Sequence, residues 1–227
     1  MNRFSLYNKI YSIVGSSTIL FLLSACGSSS SVNTPSDISC DIIIDKNYYT
    51  ICYDYTLKGA RSVTYSLDTN QVNLLNIEKR EDFYIEESIP KPYRSRYSDY
   101  TGSGYDRGHL ASDASFDWSE ESLKSVYSMA NIVPQEPDLN RYSWIDTEKL
   151  EREKAKEFKK VQVKIIVNYS DNPMQIGENA ISVPRGFYKS ISNKDFNYEE
   201  CFYYENIPYN ISTDTIDEHK IECSTVP

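Results

Sequence analysis

From Cys40 to Leu67 apolar and polar residues alternate loosely in β-rich sequence, as in Tyr53-Asp54-Tyr55 and Ser62-Val63-Thr64-Tyr65. Alternation at period two marks strands with one buried face, here those of an antiparallel sheet. Residues 78–103 are polar and carry Pro90 and Pro92, which predicts a loop-rich crossing. Ser119-Glu120-Glu121-Ser122 then opens a short helix through about Met129, with acids in its first turn. A second helix is predicted from about Leu139 to Phe158, with Asp138 as its cap and no proline inside. Asn140, Trp144 and Glu148 fall at i, i+4 and i+8, near one face, and Trp144 is expected in the core. Val161-Gln162-Val163-Lys164-Ile165-Ile166-Val167 is the clearest strand, and Ile181-Ser182-Val183 ahead of Pro184 reads as another. Strands, then helices, then strands predict an α+β fold rather than a doubly wound parallel sheet.

The first 25 residues break this pattern and read as an export signal. Arg3 and Lys9 precede an apolar stretch from Ile10 to Leu23, about 14 residues and short of the ~20 needed to span a bilayer. Leu23-Ser24-Ala25-Cys26 resembles a bacterial lipobox, with cleavage before Cys26 and lipid on its sulfur. Residues 26–38 then form a serine-rich tether, and 39–227 the folded domain. The expected address is the cell envelope, attached to a membrane; Gly27 rather than an acid after the cysteine points to the outer membrane. Disulfides persist in such a compartment. Four cysteines remain once Cys26 is lipidated, which allows three pairings. Proximity in sequence favours Cys40 with Cys52 and Cys201 with Cys223. None forms a CxxC, which argues against a zinc ribbon.

Composition is that of a globular domain, 40% hydrophobic and 25% charged, without repeats and without a GxGxxG or Walker-type loop. The formal net charge of −9 is opposite in sign to the footprint that phosphate binding normally leaves. Losing residues 1–25 removes Arg3 and Lys9 and no acid, so the remainder is more acidic still. Net charge governs long-range steering, however, whereas a cleft needs only local cations. Lys91, Arg94, Arg96 and Arg107 are candidates, as is the run Lys154, Lys156, Lys159 and Lys160, although that run reads more readily as a solvated helix end placed favourably against the dipole.

The candidate chemistry lies in Tyr105-Asp106-Arg107-Gly108-His109-Leu110-Ala111, Asn131-Ile132-Val133-Pro134-Gln135 and Leu139-Asn140, followed by Trp144 and Glu148. Hydrolysing a phosphodiester needs an activated water, charge neutralisation at the phosphate, and help for the departing oxygen. Histidine is a natural base because its pKa lies near neutrality. Asn140 offers the hard oxygen that magnesium prefers without adding a repelling charge. Glu148 could hold water on such an ion, although an i,i+4 pair with Arg152 would explain it almost as well. Arg107 suits bidentate binding of a phosphate. His219, near the tail and between charges, reads as an exposed surface residue.

In order, spacing and residue type these segments resemble the DNA/RNA non-specific endonuclease family, over roughly residues 48–210. The resemblance implies the ββα-metal fold: a central antiparallel sheet with flanking helices, and a His-bearing hairpin next to a metal-binding helix. It implies His109 as general base, Asn140 as direct Mg2+ ligand (Mn2+ as a substitute), Arg107 as transition-state stabiliser and Glu148 as support for the hydrated metal. Asn131 would shape the site, and Arg80 matches an upstream phosphate-binding arginine. Pro184, Phe187, Tyr188 and Lys189 look like the family's later strand and loop, while Ser112 stands where many members carry proline. The implied substrates are DNA and RNA, cut with little sequence preference. A small-molecule phosphodiesterase and a nucleic-acid-binding or surface lipoprotein with an inactive site are the alternatives.

Overall fold

In chain order the strands and helices are β1 (Ile42–Asp45), β2 (Tyr49–Asp54), β3 (Gly59–Asp68), β4 (Asp106–His109), α1 (Glu120–Val126), β5 (Ile132–Gln135) and α2 (Trp144–Phe158). There follow β6 (Lys160–Asn168), β7 (Gln175–Ile176), β8 (Ile181–Ser182), β9 (Gly186–Asn193), β10 (Tyr198–Glu205) and β11 (Lys220–Ile221). These come from a computed structural model that describes residues 39–72 and 77–227. The export signal, Cys26 and the tether through residue 38 lie outside the described residues.

The main sheet has seven strands in the order β1-β2-β3-β6-β9-β10-β11, and every neighbouring pair is antiparallel. Its centre is the strand that the sequence marked best: along β6, Val161, Val163 and Ile165 are buried while Lys160, Gln162 and Lys164 are exposed. Paired register sets Val63 against Ile165 and Tyr65 against Val163, so one face becomes continuous core. Helix α2 covers that face with Trp144, Thr147, Glu151 and Ala155, a buried stripe at helical spacing. The fold is α+β, as the order of elements predicted. Trp144 is core, packed against Phe187 and Tyr204.

The long helix begins differently from its expected start. Its first turn opens at Pro137, and the Glu136 carboxylate accepts hydrogen bonds from the amides of Asp138 (2.7 Å) and Leu139 (3.1 Å). Asp138 is itself helical (φ −68°, ψ −39°) and makes no side-chain cap. Pro137 explains the shift: its missing amide suits the first helical position, so the cap falls to Glu136, two residues before the expected Asp138. The chain then passes through a π turn, Leu139–Ser143, into α2. Helix α1, capped by Ser119 Oγ on the Ser122 amide (3.0 Å), stops at Val126 rather than Met129. There the backbone turns to meet the 78–103 crossing, with Tyr84 N on Tyr127 O (3.1 Å) and Met129 N on Tyr84 O (2.9 Å).

β4 and β5 form a separate antiparallel ribbon, Asp106 opposite Gln135 and His109 opposite Ile132. It is no tight hairpin, because residues 110–131, including α1, lie between its strands. Both disulfides join the cysteines nearest in sequence, Cys40–Cys52 and Cys201–Cys223.

Candidate active site

Four residues of β4 serve two sides of the ribbon, because successive side chains of a strand point to opposite faces. Arg107 and His109 share one face, and both lie beside Phe83: the guanidinium carbon is 5.6 Å from its ring centroid, the imidazole 5.5 Å. Asp106 and Gly108 take the other. Gly108 has no substitute there, since a Cβ would fall onto the side chain of buried Gln135 across the ribbon.

Asp106 is the hinge between the ribbon and the helix. Its carboxylate accepts Asn140 Nδ2 (3.0 Å) and a bidentate pair from Arg141 (2.7 Å each). Partial burial pushes this carboxyl up, but the Arg141 and Asn140 hydrogen bonds and the charges of Arg141 and Arg107 outweigh it and hold it below the usual range. With Nδ2 committed to Asp106, the Asn140 carboxamide has its oxygen left for a cation. Two turns on, Glu148 adds a carboxyl that hydrogen-bonds to no described residue. Arg152 does not pair with it; that guanidinium reaches Ser115 Oγ at 3.4 Å instead. Burial lifts Glu148 to about 7, with Glu151 and Asp113 pushing the same way against Lys189 and Arg152. A carboxamide oxygen and a half-buried carboxyl, with no sulfur or imidazole in the set, fit a hard, hydrated ion such as Mg2+.

The His109 ring is gripped by Phe83 and, edge-on, by Tyr127 (centroids 4.9 Å). Its Nε2 is buried without a partner among the described residues. Burial brings the imidazole down to about 4; Asp113 opposes this and Arg80 adds to it. Asp113 is the local counter-charge, accepting from Tyr127 Oη (3.1 Å) and lying 3.4 Å from Arg80 Nε. Arg80 also approaches Asp117 (3.8 Å), so this upstream arginine does reach the neighbourhood of His109. Arg107 has no carboxylate within salt-bridge distance among the described residues; Tyr97 carries its guanidinium at 4.0 Å from the ring centroid. That leaves Arg107 the charge most available to a phosphate.

Asn131 clasps the chain directly after His109. Its Oδ1 accepts from Ala111 N (2.9 Å), its Nδ2 donates to Ala111 O (3.0 Å) and Val126 O (2.9 Å), and its carbonyl accepts from Leu110 N (3.0 Å). Beneath α2, fully buried Glu151 takes Lys189 Nζ (2.8 Å), Tyr65 Oη (2.9 Å) and Ser115 Oγ (2.7 Å).

Sequence reasoning placed His109, Arg107, Asn140 and Glu148 but gave no role to Asp106, Asp113, Tyr127 or Tyr97. Asp106 was visible inside the motif; only the strand pairing shows which way it points. One reading is corrected: His219 is not an exposed surface residue. It stacks on Tyr204 (centroids 3.8 Å), lies 2.8 Å from Asp214 through Nε2, and leaves only 11% of its side chain exposed. The polar tail around it hides the aromatic surface it folds onto.

A family model described as DNA/RNA non-specific endonuclease matches residues 27–225. The human mitochondrial endonuclease G is 31% identical over 155 residues, covering 62% of this chain and 51% of that protein. A nuclease of Nostoc sp. is 29% identical over 160 residues, covering 70% and 57%. The chain thus spans about half the length of the curated relatives it matches. A crystal structure of an EndoG/EndoGI complex superposes with a TM-score of 0.70 at 23% identity, covering 81% of each chain, which is a likeness of fold.

Proposed function

The chain belongs to the DNA/RNA non-specific endonuclease family, and from that premise we propose that it hydrolyses phosphodiester bonds of DNA and RNA with little sequence preference, aided by Mg2+. The observation that carries this is the double duty of β4. Asp106 orients the Asn140 carboxamide, and three residues later the same strand presents His109.

In this reading His109, neutral at physiological pH, takes the proton of the attacking water. Arg107 binds the scissile phosphate and stabilises the charge that builds on it. Asn140 and Glu148 would hold the magnesium, Asn140 directly and Glu148 through water. The ion would supply Lewis-acid stabilisation of the phosphate and leaving oxygens. Asn131 fixes the backbone that aims His109, and Arg80 offers a second cation for the substrate. The sequence carries no motif for reading base edges, in keeping with weak sequence preference. The complete set of His109, Arg107 and Asn140 speaks against a binding protein with an inactive site. Incubation with plasmid and with RNA, with and without EDTA, tests this. Both substrates should be degraded, and EDTA should abolish the degradation; cleavage that EDTA leaves intact would remove the metal from the scheme.

We further propose the division inferred from the N-terminus: residues 1–25 an export signal, Cys26 lipidated, residues 26–38 a tether, and 39–227 the nuclease domain at the outer membrane. The lipobox-like Leu23-Ser24-Ala25-Cys26 supports it. Stable anchoring takes more than one acyl chain, because a single chain binds only marginally. Cys26→Ala should move the protein from the membrane to the soluble fraction; wild-type membrane association in that variant would end the anchor proposal.

A further inference from the structure

Tyr97 keeps 53% of its surface exposed although it stands beside the site. It opens the short turn Tyr97–Tyr100, and the Arg107 guanidinium lies over its ring at 4.0 Å. Phe83 follows at 6.2 Å between centroids, and His109 lies 5.5 Å beyond Phe83. Three rings thus step from solvent to the proposed base.

The turn is braced rather than loose. Asp99 is buried, accepts Arg96 N (2.8 Å), and takes both the amide (3.1 Å) and Nδ2 (2.8 Å) of Asn179. Gly177, at φ +69°, packs so closely on Asp99 that a Cβ there would collide with it. Tyr100, also buried, donates through Oη to Ile132 O (3.3 Å) on β5. The platform is therefore tied to the ribbon that carries Arg107 and His109.

Packing does not explain an exposed ring held this firmly, and steadying Arg107 occupies only part of it. We propose that Tyr97 is a stacking platform for the nucleobase next to the scissile phosphate: Arg107 takes the phosphate and Tyr97 takes the base. This rests on the nuclease reading of the site. Stacking tolerates sequence, because every base has a π-face. It also supplies affinity that a chain of net charge −9 does not gain from long-range attraction. A base on Tyr97 must leave its own stack, so single-stranded or locally opened nucleic acid is the favoured substrate.

The test uses a single-stranded oligonucleotide with a central tract of abasic residues, and cleavage is mapped bond by bond with Mg2+. Wild type should cut bonds flanked by bases roughly tenfold faster than bonds in the abasic tract, within the range that stacking on one ring supports. Tyr97→Ala and Tyr97→Leu should lose most of that ratio, mainly through slower cutting of base-bearing bonds, and Tyr97→Phe should keep it. An unchanged ratio in Tyr97→Ala and Tyr97→Leu, with all bonds slowed alike, would reduce Tyr97 to a positioning residue for Arg107 and overturn the proposal. Failure of wild type to cut any bond would instead sink the nuclease reading, and this inference with it.

Discussion

His109→Ala is expected to slow plasmid cleavage by at least ~10² to 10⁴, the usual worth of a general base, while magnesium affinity barely changes. The imidazole sits between Phe83 and Tyr127, and the Asn140 carboxamide is held from the far face of β4 by Asp106, so removing one leaves the other in place. Asn140→Ala should fail differently. It removes the one side-chain oxygen proposed to touch the metal, so activity and metal binding fall together and high magnesium restores part of the rate. Asn140→Asp should retain more, because it still offers an oxygen. The measurement is cleavage across a magnesium titration for the three variants. Wild-type magnesium dependence in Asn140→Ala would disprove the ligand assignment, and near-normal cleavage by His109→Ala would end the mechanism as written. The pH profile adds a signature. Burial holds His109 at about 4, so its proton-accepting form survives below the ordinary value of 6.5, and the acid limb of cleavage should lie below 6.5 as well.

The largest expected loss of stability is in Lys189→Met. Lys189 and Glu151 are both fully buried, 2.8 Å apart, and the ammonium also lies 4.6 Å from the Trp144 ring centroid. Without Lys189, the Glu151 carboxylate is left inside the protein with only the neutral donors Tyr65 and Ser115. Breaking a buried pair from one side costs about 3–5 kcal/mol, a large share of the ~5–15 kcal/mol that holds a typical domain. Urea unfolding should show the midpoint fall. Adding Glu151→Gln, which removes the stranded charge and keeps an acceptor for both hydroxyls, should recover part of the loss. A single-variant cost under ~1 kcal/mol, or no recovery in the double variant, would mean the pair is not what fastens α2 to the sheet.

The legible parts of this protein are those with local causes. The apolar-polar alternation from Val161 to Ile165 marked a strand, and the motif around His109 marked the candidate site because its residue types and spacing are chemically restrictive. What stayed hidden depends on partners far along the chain. Asp106 finds Asn140 only once β4 and the π turn meet. Tyr97 finds Arg107 through a turn braced from Asn179. His219 sits in a polar tail whose sequence says exposed, yet Tyr204 lies under it. The displaced helix cap is a local miss with a local reason: Asp138 has the right side chain, but Pro137 already occupies the first helical position and hands the cap to Glu136.

The two disulfides stand at the two borders of the seven-stranded sheet. Cys40–Cys52 fastens the chain entering four-residue β1 to β2, and Cys201–Cys223 fastens the chain leaving two-residue β11 to β10. Such short outer strands are easily peeled away, and beneath them lie longer strands whose backbone groups would then be open to pairing with another molecule. The bridges act as hems. Opening them in a reducing environment would first make the protein sticky rather than idle.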